Sequence, residues 1–182
     1  MIIRFPRVAR LRLLRSGSTR WCAGKSEHMG SQVGVISDTH GVLRPEAAAA
    51  LRGVDFIVHA GDVGSPEVLS LLAELAPVTA VRGNNDRGPW ADKLPLTAVL
   101  KVESSSLYVV HDIGSLNLDP RAEGFQAVIT GHSHKPLAEV RRGVLFLNPG
   151  SAGPRRFSLP VAVARIEVQG SSVSHKLINL AV

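Results

Sequence analysis

"QVGVISDTHG", residues 32–41, is an apolar run that breaks into polar side chains. Val33 to Ser37 reads as a buried strand, a short β-branched stretch with no helical spacing. It stops in Asp38-Thr39-His40-Gly41. A turn accounts for such an ending, since Asp caps and Gly bends. A metal accounts for it too, because Asp and His two apart at a strand end can converge on one cation. The neighbouring sequence has to decide between the two.

The stretch is followed by regular punctuation. "RPEAAAALRG" (44–53) predicts a helix, with Pro45 in its first turn, an alanine body and Gly53 as its stop. "VDFIVHA" (54–60) predicts a second strand. "SPEVLSLLAELAP" predicts a second helix in which Ser65 caps, Pro66 opens, and Leu69, Leu72 and Leu75 share a face. "VTAVRG" (78–83) predicts a third strand. Beyond it the chain turns β-rich, with apolar runs at 96–102, 107–111, 126–130, 144–147, 161–168 and 173–180. "DIGSLNLDPRAEG" reads as a loop with one helical turn. Alternating β and α followed by β predicts an α/β sandwich with a substantial mixed sheet.

Composition bounds the rest. The 182 residues, 45% hydrophobic and 20% charged, suit one soluble globular domain. No apolar run approaches the roughly 18 residues of a membrane span. The formal charge of +6 sits wholly in residues 1–28, where Arg4, Arg7, Arg10, Arg12, Arg15, Arg20 and Lys25 face only Glu27. The remainder balances at 14 basic and 14 acidic side chains, so the basic excess is no sign of a nucleic-acid surface. The expected organisation is a basic, disordered extension over 1–30 and one domain over 31–182. A mitochondrial transit peptide is the alternative reading of the leader, and translation from Met29 would remove it. The single cysteine, Cys22, excludes a disulfide framework and a thiolate metal site, and suits a reducing, cytoplasmic setting.

Position now favours the metal. Apolar runs end in Asp38-Thr39-His40-Gly41, in Gly61-Asp62, in Gly83-Asn84-Asn85-Asp86, in His111-Asp112 and in Gly131-His132-Ser133-His134. Each ending alone is ordinary turn chemistry, but five in one apolar scaffold are not. Ligand sites in α/β sheets lie beyond the carboxyl ends of strands. Asp38, His40, Asp62, Asn84, His111, His132 and His134 supply two carboxylates, one amide oxygen and four imidazoles. That is too many donors for one tetrahedral zinc and enough for two cations sharing a carboxylate. Mixed nitrogen and oxygen donors without sulfur suit Mn, Fe, Ni, Co or Zn, and they do not choose among them.

In order, "SDTHG", "AGD", "GNND", "HD", "GHSH" and "NPGS" (148–151) resemble the motif series of the calcineurin-like metallophosphoesterases, specifically their small bacterial and archaeal phosphodiesterase branch. The resemblance implies an α-β-β-α sandwich of two mixed β-sheets flanked by helices. It implies that Asp38, His40 and His134 bind one metal and Asn84, His111 and His132 a second, with Asp62 bridging. Asp62, Asn84 and His132 then stand closest to catalysis. Two cations would lower the pKa of a shared water, giving a hydroxide that attacks a phosphodiester in line. The implied partner is a small phosphodiester substrate; a homodimer is left open, and nothing points to a membrane.

Two positions depart from the family pattern. Asp112 stands where glycine is expected, and its carboxylate either repels an anionic substrate or bonds a neighbour. Asn85 stands where many relatives carry a histidine that assists the leaving group. An amide donates a hydrogen bond but supplies no proton near neutral pH. Activated phosphodiesters are therefore expected ahead of monoesters, and a phosphomonoesterase or nuclease is the alternative. A protein-interaction scaffold like a retromer subunit is the rival class, disfavoured by the complete ligand pattern. Asp86 is expected to support its loop, His59 to pack or to support a ligand, and His175 to lie on the surface. His28 falls in the leader. Arg155 and Arg156 are read as solvated or as reaching a phosphate.

Overall fold

The computed structural model describes residues 30–156 and 158–182. Residues 1–29 of the expected 1–30 extension, with Cys22 and His28, lie outside them. The described chain runs β1 (Ser31–Ile36), α1 (Pro45–Ala50), β2 (Phe56–His59), α2 (Pro66–Ala73), β3 (Val78–Ala80), β4 (Thr97–Val102) and β5 (Ser105–Val110). It continues through β6 (Ala127–Ile129), β7 (Leu137–Arg141), β8 (Val144–Asn148), β9 (Ala162–Gln169) and β10 (Ser172–Asn179). Short 3₁₀ turns occupy Ala91–Lys93 and Ile113–Ser115.

Two five-stranded mixed sheets form, ordered β10-β9-β1-β2-β3 and β4-β5-β6-β8-β7. In the first, β1, β2 and β3 are parallel, and β9 and β10 extend it antiparallel. In the second, β5, β6 and β8 are parallel, with antiparallel β4 and β7 at the edges. This is the expected architecture, and strand alternation shows why it holds. Val33, Val35 and Val58 meet Leu107, Val109, Ile129, Leu145 and Leu147 between the sheets. Ile36 and Ile57, on the opposite face, pack under Ala47 and Leu51 of the α1 region and Val68 and Leu72 of α2. On the far side, Tyr108, Val110 and Val128 are covered by Leu116, Leu118 and Phe125 from the connection after β5, which carries a 3₁₀ turn.

Several details differ from the sequence reading. α1 has six residues rather than ten, because Leu51 to Gly53 turn off and Gly53 adopts φ +79°. Ser65 occupies the N-cap of α2 without a side-chain capping bond. β3 ends at Ala80, and Arg82 N–H instead donates 2.8 Å to the Pro95 carbonyl. β7 was not foreseen. Its sequence, LAEVR, lies on a sheet edge with Leu137, Glu139, Val140 and Arg141 exposed, so no period-two pattern marks it.

Candidate metal centre

The parallel strands of both sheets run into one place. Asp38 follows β1, Asp62 follows β2, Asn84 follows β3, His111 follows β5, and His132 and His134 follow β6. β8 ends in Asn148 and leads to Gly150 and Ser151. Backbone bonds lock these ends together: Asp38 N–H to Gly61 O at 3.0 Å, His40 N–H to Asp62 O at 3.0 Å and Gly131 N–H to His111 O at 2.9 Å. Two glycines are explained by this crowding. A Cβ at Gly83 would overlap the Asp62 backbone, and one at Gly61 would lie 2.6 Å from His111 Nδ1. Asp38, His40, Asp62, His132 and His134 all adopt left-handed φ, between +47° and +67°. Non-glycine residues rarely sit there, and such strain clusters at functional sites.

All seven predicted residues come together. His40 Nε2 and His134 Nε2 lie 3.5 Å apart with their rings stacked, and His134 Nε2 is 3.3 Å from Asp38 Oδ1. Across the site, Asn84 Oδ1 lies 3.0 Å from His111 Nε2 and 2.9 Å from His132 Nδ1. Asp62 stands between the two halves, with Oδ2 3.9 Å from His40 Nε2 and Oδ1 3.6 Å from His111 Nε2. Donor atoms of Asp38, His40 and His134, and separately of Asp38, Asp62 and His111, fall within 4.8 Å of one another.

The proton inventory tests whether cations fit. His111 Nδ1 donates to the Ala60 carbonyl at 2.7 Å, so the neutral ring carries a bare lone pair on Nε2. That lone pair faces Asn84 Oδ1 and Asp62 Oδ1, which are also acceptors. With the ring neutral, acceptors face acceptors there, an arrangement that a bound cation relieves. Asp38 Oδ1 is likewise buried without a hydrogen-bond partner. The donor set fits divalent metal.

Burial sets the charges. Desolvation pushes the Asp38 carboxyl up to about 7, against the Ser37 hydroxyl bond. Desolvation also pulls His134 down to about 4, with the Arg156 charge adding to it, and lowers His40. For Asp62 burial works upward, but two Asn85 bonds and the charges of His111 and His40 hold it below the usual carboxylate range. Those bonds run from Asn85 N–H to Oδ1 at 2.8 Å and from Asn85 Nδ2 to Oδ2 at 2.6 Å. The Asn85 amide thus donates to Asp62.

The remaining expectations resolve individually. Asp86 is buried and accepts from Gly64 N–H and Gly83 N–H, both at 2.8 Å, which supports its loop. Asp112 accepts from Gly114 N–H at 2.9 Å, capping the 3₁₀ turn that follows β5. His59 is fully buried against Thr39 Oγ1 at 2.9 Å, and burial pulls it down to about 4. His175 is exposed on β10. Arg155 turns away toward the Val182 carbonyl, at 3.4 Å. Arg156 instead joins Asp62, Asn84, Asn85, His132 and Leu159 around a cleft of about 280 Å³. The "NPGS" motif proves to be a clamp: Asn148 Nδ2 donates to Gly131 O at 2.6 Å, Ser37 Oγ lies 2.7 Å from Gly150 O, and Ser151 Oγ donates to Asp38 O at 2.9 Å. Sequence reading noted that motif but assigned it no role.

Comparison with known proteins identifies the family and the fold. A family model described as the calcineurin-like phosphoesterase superfamily domain matches residues 32–171. A "Probable metallophosphoesterase" of Methanothermobacter thermautotrophicus is 34% identical over 159 residues, 81% of this chain and 91% of that protein. A second, from Methanocaldococcus jannaschii, is 37% identical over 132 residues, 65% of this chain and 67% of that protein. Two solved structures share the fold at a TM-score of 0.67 and 20% identity. One is an archaeal phosphodiesterase, matched over 81% of this chain and 99% of that one. The other is Vacuolar Protein Sorting 29 from Cryptosporidium parvum, matched over 82% and 98%.

Proposed function

The chain belongs to the calcineurin-like phosphoesterase superfamily, and from that premise we propose that it is a dinuclear-metal phosphodiesterase acting on small, activated diesters. Membership makes it a metal-dependent phosphoesterase; the number of metals and the preference for diesters are the proposal. The observation that carries it is the double convergence of metal-capable side chains, on the Asp38, His40 and His134 side and on the Asn84 and His111 side, with Asp62 between.

Asp38, His40 and His134 would hold one cation, and Asn84, His111 and His132 the other, with Asp62 shared. When bound, the metals supply Lewis-acid charge that activates water and neutralises phosphate oxygens. The protein's own part is orientation. The Ala60 carbonyl fixes the His111 tautomer, and Asn85 fixes both oxygens of Asp62. Because an amide has no proton to give near neutral pH, and one Asn85 N–H is spent on Asp62, the leaving group departs without the general-acid help that is typically worth about 10² to 10⁴ in rate. That favours leaving groups stable as anions. Manganese is the first metal to test, and the setting that fits a single cysteine is the reducing cytoplasm.

The test is metal-stripped protein reconstituted with Mn, Ni, Zn or Mg and assayed on aryl diesters, alkyl diesters and monoesters. Two ions per chain and aryl diesters fastest are expected. Asn85→His should narrow the gap between alkyl and aryl diesters. Alkyl monoesters outrunning aryl diesters would sink the diester assignment, and no more than one ion at saturation would sink the dinuclear one. The protein-scaffold reading, which the Vacuolar Protein Sorting 29 likeness supports at the level of fold, requires that no reconstituted form turns over any ester.

A further inference from the structure

We propose that Arg156 is the residue that grips the substrate's phosphate, donating to a non-bridging oxygen on the His40 side of the cleft. This rests on the phosphoesterase reading and names the contact that gives it substrate affinity.

Among the described residues lining the cleft, Arg156 alone carries a fixed positive charge; its companions there include Asp62, Asn84, Asn85, His132, Ser133 and Leu159. Its Nη2 lies 3.4 Å from His40 Nε2. It has no salt-bridged carboxylate among the described residues, unlike Arg82, Arg141 and Arg142, which pair with Asp92, Glu139 and Asp119. An arginine at the mouth of a site, without a carboxylate, has its charge available for a ligand.

The geometry also says which ligand. The His40 Nε2 lone pair can serve Arg156 or a cation, because Nε2 has only one. His40 Nε2 also belongs to the converging donors of Asp38 and His134. A cation there would take the lone pair and repel the guanidinium, which frees its N–H donors for an anion next to the same position. A phosphate oxygen is that anion, and the planar guanidinium matches phosphate through paired N–H donors. The Arg156 main chain is tied beside the cleft, where Leu159 N–H donates 3.1 Å to its carbonyl after the "NPGS" clamp. Leu159 lines the same cleft and gives the leaving group an apolar wall.

The experiment compares metal-reconstituted wild type with Arg156→Ala and Arg156→Lys. Three quantities are read: metal content, affinity for inorganic phosphate by calorimetry, and kcat and KM on an aryl diester. A hydrogen bond to a charged group is worth enough that Arg156→Ala should lose about ten- to a hundredfold in phosphate affinity and in kcat/KM. Its metal content should match wild type. Arg156→Lys should fall between, keeping charge and losing the fork. Unchanged phosphate affinity and kcat/KM in Arg156→Ala, with wild type active, would overturn the assignment and leave the phosphoesterase reading standing. Loss of metal from Arg156→Ala would overturn it as well, showing Arg156 to be a support for His40. A wild type that binds phosphate through Arg156 but turns over no ester overturns the function and keeps the contact.

Discussion

At the scale of single residues the site is held under tension. Sequence reading could name Asp38, His40, Asp62, Asn84, His111, His132 and His134, because metal chemistry restricts donors to few side chains. It could not see that five of them have left-handed φ, or that Asn85 is committed to Asp62, since both depend on partners distant in the chain. The strain is measurable at His132, which is exposed and has φ +67°. His132→Gly and His132→Ala lose the same imidazole, but only glycine relaxes the backbone. In metal-free protein the glycine variant should be more stable in urea than the alanine variant by about 1 kcal/mol; equality would mean no strain is stored there. Protonation offers a second measurement. Metal ligands bind deprotonated, and Asp38, raised to about 7 by burial, holds its proton at pH 6 and has lost it at pH 8. His134, at about 4, is neutral at both. Calorimetry in buffers of different ionisation enthalpy should therefore find more protons released per metal at pH 6 than at pH 8. Equal release would contradict a raised Asp38.

At the scale of elements, the parallel strands carry the chemistry. β1, β2, β3, β5, β6 and β8 all point their carboxyl ends at the site, and the antiparallel edges β4, β7 and β10 contribute none of its seven donors. β1, β2, β5, β6 and β8 were legible because they are largely buried on both faces and read as continuous apolar runs, whereas β3 is a half-buried edge marked by its β-branched residues. β7 was not, because an exposed edge accepts Glu139 and Arg141 beside Leu137 and Val140. β8 was legible as a strand and illegible in purpose. Its last residue, Asn148, ties it to the turn that presents His132 and His134, through Gly131 O, and accepts from Gly150 N–H at 2.9 Å. Asn148→Ala leaves Gly150 N–H buried without its partner, while Gly131 O keeps the Ser133 N–H at 2.8 Å. It should cost about 1 to 3 kcal/mol in urea denaturation and weaken metal binding about 10- to 100-fold, read by competition with a chelating dye. A variant matching wild type in both would show the clamp to be incidental.

At the scale of the molecule, the metal centre is a seam. Asp38, His40, Asp62 and Asn84 come from the sheet of β1, and His111, His132 and His134 from the sheet of β5. Elsewhere the sheets meet through apolar contact among residues such as Val35, Val109 and Ile129. At the seam they instead bring together groups that burial penalises: a desolvated Asp38, and a His111 lone pair facing two oxygens. Cations at that seam would bond both sheets, so metal binding belongs to the stability of the whole fold as well as to activity. A ligand at a hundred times its dissociation constant stabilises by about 2.7 kcal/mol per site. For a chain of this size each kcal/mol moves the midpoint by about 2 to 4 °C. Adding Mn or Zn to metal-stripped protein should then raise Tm by about 5 to 10 °C for each site filled at that excess. The gain should fall to that of one ion at most in Asp62→Ala, which removes the group standing between the two halves and leaves Asp38, His40 and His134 in place. Residues 1–28 bear the net charge of +6 and no periodic apolar pattern. Deleting them should leave the metal-dependent shift, and activity within about twofold, unchanged. A Tm indifferent to chelator would mean that the two sheets are joined by their apolar core alone and that no ion spans the seam.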